Sequence, residues 1–351
     1  MGRDGPHGRR SARPGGRGEP NAARVRIPDQ QASVRGLGEA ISTTTFWTWA
    51  RPLAGAAILA ALGYRFGAEP FLEGLRQTDV GALLVALVVT AVTTACCARR
   101  WSLVAEGLGV AVPFRASYRA CYRAQFLNAT LPGGILGDVH RGIRHGRDTG
   151  AMARGLRSVA WDRVAGQVVQ AGLAVGALLL LAPPVRAWGL WLLLGIVLVA
   201  AVGRLVLPGS IVGLLRAEIR AVLGGTGVGQ RVVLLSAAAV AGHVVVFVVA
   251  ARTAGVSAPV QDLVPLGFVV LMASAIPLNV AGWGPREGAS AWVFGASGLG
   301  ASAGLQVAVV YGVMALVATL PGGLLWGSAS PRPAEYKTRG GSAWATGPTS
   351  S

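Results

Sequence analysis

The feature that most constrains this chain is its series of apolar runs of helical length. Stretches of about 17–25 residues with few charges lie near 52–68, 80–98, 165–183, 187–206, 232–251 and 304–326. Each is long enough to cross the ~30 Å hydrocarbon core of a bilayer as a helix. Backbone in hydrocarbon must satisfy its own hydrogen bonds, which leaves helices or a closed barrel. Continuous apolar runs of this length select helices. Composition agrees: 52% of residues are hydrophobic, 13% are charged and the mean hydropathy is +0.53, against about 25% charged residues in a soluble domain. The expected fold class is therefore an all-α integral membrane protein, a polytopic helical bundle of about six spans. The first run is the weakest, interrupted by Gly63 and Arg65.

Two further apolar segments, 116–137 and 263–284, are broken by glycine and proline. Positive charge indicates whether they cross. If both dip in and return, then 1–51, 99–163, 204–231 and the C-terminal tail share one side and hold 27 of the 32 Lys and Arg residues. Only Arg65, Arg76, Arg186, Arg252 and Arg286 fall on the other. Cytoplasmic loops carry such an excess, so the expectation is a cell-membrane protein with two re-entrant segments and both termini cytoplasmic. Residues 1–45 read as a disordered basic tail rather than a signal peptide, 46–327 as the transmembrane domain and 328–351 as a disordered polar tail.

The net charge of +17 raises a nucleic-acid partner. The arginines fall between apolar runs, however, so an anionic lipid surface is the expected partner and nucleic acid is not. Cys96, Cys97 and Cys121 are too few and too oddly placed for a disulfide framework, and no Cys/His spacing suits a metal. No metal or other cofactor is expected.

Chemistry concentrates at the breaks. The run FRASYRACYRAQF places Arg115, Arg119 and Arg123 four residues apart, beside Phe114, Tyr118, Tyr122 and Phe126. On a helix these form adjacent basic and aromatic stripes, suited to an interface where arginines meet phosphates. An ordinary anchor helix gives the same pattern. NATLPGGILGDVHRG follows, with its break at Leu131–Gly134, then Asp138 and Arg141. Asp138 suits the first turn of a new helix. Either it caps that helix and pairs with Arg141, or the opened backbone and Arg141 receive an anionic headgroup. Further on, RSVAWDRVAGQ sets Arg157, Asp162 and Arg163 at the expected cytoplasmic mouth of a span, where charges are partly hydrated. The second break, IPLNVAGWGPREGAS, again joins glycine and proline to an Arg and an acid, Arg286 and Glu287. Interrupted segments in both halves of a membrane chain point to a transport site between repeats.

Weaker signals are assigned structural roles. His243 lies mid-span, where it either serves function or hydrogen-bonds a neighbouring helix. Gly172 and Gly176 form a GxxxG that lets helices approach closely. GASAG at 300–304 matches a nucleophile elbow without its strand or partners. With no P-loop or HExxH either, the chain is not expected to be an enzyme.

The three motifs, in this order, resemble the lysylphosphatidylglycerol synthase transmembrane-region family, a flippase-like domain also found at the N-terminus of bacterial multiple peptide resistance factors. The matches are Asn128, Leu131–Gly134, Gly137, Asp138 and Arg141; Ser158, Asp162 and Arg163; and Gly282, Gly284, Arg286, Glu287 and Gly288. The resemblance covers roughly residues 50–327 and implies a membrane translocase without the soluble synthase domain. The implied lipid is a phospholipid, possibly aminoacylated, made by a separately encoded synthase or glycosyltransferase. The expected headgroup site comprises Asn128, Pro132, Gly133, Gly134, Gly137, Asp138, Arg141, Asp162, Arg163, Asn279, Gly282, Trp283, Gly284, Arg286 and Glu287. Two alternatives stand beside it: a membrane enzyme or accessory subunit for lipid-linked substrates, and a non-catalytic scaffold.

Overall fold

Branched apolar side chains at helical spacing, with small residues between them, build the longest helices. In the helix Val80–Gly107, Val80, Leu84, Val88 and Val92 face outward, while Ala82, Ala86, Thr90 and Thr94 are buried. An apolar exterior around an interior of small and polar residues is what hydrocarbon selects. Asp79 starts this helix by accepting the Ala82 N–H at 2.8 Å.

The computed structural model describes residues 1–2, 53, 56–131, 134–179, 183–276 and 282–325. The tails 1–45 and 328–351, apart from the first two residues, and the sites Pro132, Gly133 and Asn279 lie outside them. Among the described residues, twelve helices follow in order: α1 (Ala56–Phe66), α2 (Glu69–Gln77), α3 (Val80–Gly107), α4 (Phe114–Thr130), α5 (Leu136–Asp148), α6 (Met152–Leu179), α7 (Pro183–Val206), α8 (Gly209–Leu223), α9 (Val228–Thr253), α10 (Val260–Ser274), α11 (Pro285–Ala296) and α12 (Ala301–Leu324). The all-helical expectation holds. Among the described residues, α3, α9 and α12 are long and apolar enough to cross a membrane by length and composition.

The order repeats. A long helix, a shorter one, a break, a second shorter helix and another long one make α3–α6, and the same sequence makes α9–α12. Each broken pair folds back on itself. His145 near the end of α5 comes within 2.7 Å of the Val110 carbonyl just before α4. Leu263 and Leu266 of α10 share a buried cluster with Val293 and Phe294 of α11.

Contacts set the directions of the long helices. Arg100 reaches Ser236 whereas Thr93 lies against Gly242, so α3 and α9 are antiparallel. Trp101 with Ser158 and Arg100 with Asp162 run α6 antiparallel to α3. Helix α4 opposes α3, with Ser117 at Ser102 and Gln125 at Thr94, and α12 packs on α4 where Tyr122 meets Ala318 and Gly322.

Three local expectations are corrected. Within run 52–68 the described residues give the 11-residue α1, which ends before Gly67 (φ 73°), and α2 follows from Glu69. Among the described residues, Gly172 and Gly176 meet no atom within 4 Å of an added Cβ, so the GxxxG makes no close helix contact there. Residues 209–223, read from sequence as a connection, form α8, which is held to α6 by Glu218 accepting from Arg157 and, at 2.7 Å, from the Trp161 indole.

Candidate functional site

The first break is laced by a single amide. At the end of α4, Asn128 accepts the Gly137 N–H through Oδ1 at 2.8 Å and donates through Nδ2 to Asp138 Oδ2 at 2.7 Å. Gly137 is required here, because an added Cβ would lie 2.7 Å from the Cα of Ala124 and closer still to its carbonyl. The start of α5 is thereby pressed against α4, and Asp138 is aimed into the protein.

From Asp138 an alternating line of charges runs inward. Its Oδ1 accepts from Arg141 at 2.9 Å and its Oδ2 from Arg163. Arg141 also donates to Asp162 Oδ2 at 3.1 Å and to Cys121 Sγ at 2.9 Å, and lies over the Trp101 ring, 4.5 Å from its centroid. Asp162 Oδ1 accepts from Arg100 Nε at 2.7 Å, and Arg100 ends the line on Ser236 Oγ at 3.1 Å. Asp162 is 2% exposed. It therefore sits inside the protein rather than at a hydrated mouth, with two guanidiniums balancing its burial.

The second break is built differently. Gly284 has φ 131°, a region open to glycine and strained for other residues. Pro285 opens α11, and Glu287 Oε2 accepts the Gly284 N–H at 2.6 Å. The other Glu287 oxygen holds Arg286, with Nε at 2.8 Å. The guanidinium lies between the Trp283 and Tyr311 rings, 5.2 and 5.4 Å from their centroids. Gly312 leaves room for it.

The two breaks meet. Gly282 lies against Ala129, and a cavity of about 340 Å³ takes its walls from both. Asn128, Gly134, Asp138, Arg141, Asp162, Arg163, Gly282 and Arg286 line it. Gly137, Trp283, Gly284 and Glu287 stand behind that wall and hold it. Four arginines (Arg100, Arg141, Arg163 and Arg286) face three carboxylates (Asp138, Asp162 and Glu287), so the site carries one net positive charge. Every one of the three acids is already engaged by an arginine. Chemically, the cavity suits an anion.

Asp138 lies in the first turn of α5 and pairs with Arg141, although no side chain caps that helix, and it also lines the cavity. The interfacial reading of α4 is corrected at Arg123 and Tyr122. Arg115 and Arg119 are exposed, but Arg123 is 7% exposed, and Tyr122 is buried, donating to the Ala318 carbonyl at 2.9 Å. The aromatic stripe turns inward along α4: Phe114 is exposed, Tyr118 and Phe126 are half-buried, and Tyr122 is covered by α12.

Arg100 is the residue that motif reasoning missed. It follows Arg99 after an apolar run and reads as the end of a span. Helical phase carries the signal, since Thr90, Thr93, Cys97 and Arg100 recur on one face of α3. Tyr311 and Thr319, also on the cavity wall, have no comparable signal.

Comparison with known proteins adds one positive finding. The sequence model of the family described as "Lysylphosphatidylglycerol synthase TM region" matches residues 48–322, more than three quarters of the chain. No curated protein matches it.

Proposed function

The chain belongs to the lysylphosphatidylglycerol synthase TM-region family, a membrane-domain family linked to lipid handling, and from that premise we propose that it is a lipid translocase. The observation that carries this reading is the convergence of both breaks on one polar, net-positive cavity. A headgroup cannot cross ~30 Å of hydrocarbon unaided. In the cavity its phosphate meets Arg163 and Arg286, while the acyl tails stay in lipid beyond the helices. The folded-back pairs α4–α5 and α10–α11 are re-entrant segments from opposite faces, so the site is reached from either leaflet as the halves rock against each other. The protein sits in the cell membrane with both termini cytoplasmic. The grouping of 27 of the 32 basic residues supports that orientation.

The translocase works as a carrier rather than an enzyme. A membrane enzyme using Asp138, Asp162 or Glu287 as acid or base needs a carboxylate open to substrate, and arginines occupy all three.

Leaflet exchange of fluorescent phosphatidylglycerol in proteoliposomes tests the proposal. Arg163→Ala is the variant of choice, because its side chain is 46% exposed and its removal leaves Asp138 paired with Arg141. Exchange well above empty liposomes, lowered at least tenfold in the variant with protein content unchanged, is the expected result. Equal exchange by both proteins refutes the site, and chemical conversion of the lipid by purified protein supports the enzyme reading instead.

A further inference from the structure

Beside the charged cavity lies a second lobe of about 230 Å³ between α6, α9, α10 and α12. It shares Arg163, His243, Ser274 and Tyr311 with the main cavity and adds Gln167 and Gln170. Arg163, Gln167 and Gln170 follow at i, i+4 and i+7, on one face of α6. An apolar run that needs only to span has no use for two amides on its protein-facing side. No hydrogen bond among the described residues engages either amide.

The lobe has a chemistry distinct from that of its neighbour. Past Arg163 its polar groups are two carboxamides, a hydroxyl, a phenol and an imidazole, with no carboxylate. Amides and hydroxyls both donate and accept, which matches alcohol hydroxyls. A cationic amine is held most strongly by a negatively charged acceptor, and the carboxylates next door are all held by arginines.

We infer that Gln167 and Gln170 form a specificity subsite for a neutral, hydroxyl-bearing substituent on the lipid phosphate, such as glycerol or another polyol, and against an aminoacylated one. The phosphate lies at Arg163, and the substituent extends along α6 to Gln167 and then Gln170. The inference rests on the anionic-headgroup reading above and names the class of headgroup.

The test is competition binding by the full-length protein in nanodiscs, with a spin-labelled phosphatidylglycerol displaced by four lipids. These are phosphatidylglycerol, phosphatidylinositol, phosphatidic acid and lysylphosphatidylglycerol. The protein should favour the first two over the last two by about tenfold, the worth of one or two neutral hydrogen bonds. In the double variant Gln167→Ala/Gln170→Ala that preference collapses to the phosphatidic acid level, with phosphatidic acid binding unchanged. Equal binding of phosphatidic acid and phosphatidylglycerol by the native protein, or tightest binding of lysylphosphatidylglycerol, overturns the subsite and leaves the anion site standing. Failure of all four lipids to displace the probe removes both. Melting temperature of the double variant separates lost binding from lost fold.

Discussion

The two breaks share a composition and are secured in opposite ways. Around the first, charges reach far along the chain: Asp162 joins Arg100 of α3 to Arg141 of α5, 62 and 21 residues away. Around the second, the pair is between neighbours, Arg286 and Glu287, and the acid also closes the turn that starts its own helix. The first network ties three helices into one body. The second is self-contained and is held to the rest through Trp283, Tyr311 and packing. A site that opens to either leaflet in turn needs one fixed wall and one that moves as a unit. The α3–α5–α6 side has the properties of the fixed wall.

That contrast is open to attack by substitution. The largest expected effect is from Asp162→Ala, which leaves the buried Arg100 without its acid and Arg141, also less than 10% exposed, with Asp138 alone. Losing the shared partner of a buried network costs about 3–5 kcal/mol, and a value near the upper end is expected as a lowered melting temperature. Arg286→Ala also strands a buried charge, but Glu287 keeps the Gly284 N–H, so about 3 kcal/mol is expected. Because the pair is local, Arg286→Gln/Glu287→Gln should recover most of that loss. Equal costs at the two sites, with no recovery in the double variant, remove the distinction. Gly137→Ala is smaller, about 1–3 kcal/mol from overpacking against Ala124. It should act on the first break alone, leaving protease protection of α10–α11 unchanged.

The long helices and the breaks were legible in the sequence for a physical reason. Hydrocarbon tolerates few charges over 20 residues, and irregular backbone inside it demands glycine and proline. What misled was the use of charge as a boundary. Helix α6 begins at Met152, well before the expected 165, because Asp162 is neutralised by arginines from α3 and α5 instead of by water. Arg100 was lost the same way. A single sequence shows a charge but not its partner, and partners decide whether that charge ends a span or lines a site. The faces of α4 failed differently. Periodicity shows that Tyr118, Tyr122 and Arg123 share a side, and only the packing of α12 shows what covers it. Residues of all three motifs, by contrast, line one cavity, with Gly137, Trp283, Gly284 and Glu287 behind its wall and Pro132, Gly133 and Asn279 outside the described residues.

The central claim is that both breaks receive one lipid headgroup. Its most direct test is photocrosslinking in vesicles with an anionic phospholipid carrying the reactive group on its headgroup, followed by mapping of labelled peptides. Labelling of both 128–142 and 282–290, falling together in Arg163→Ala, is the predicted result. Labelling confined to the exposed Arg115 and Arg119 of α4, with neither break modified, would contradict it.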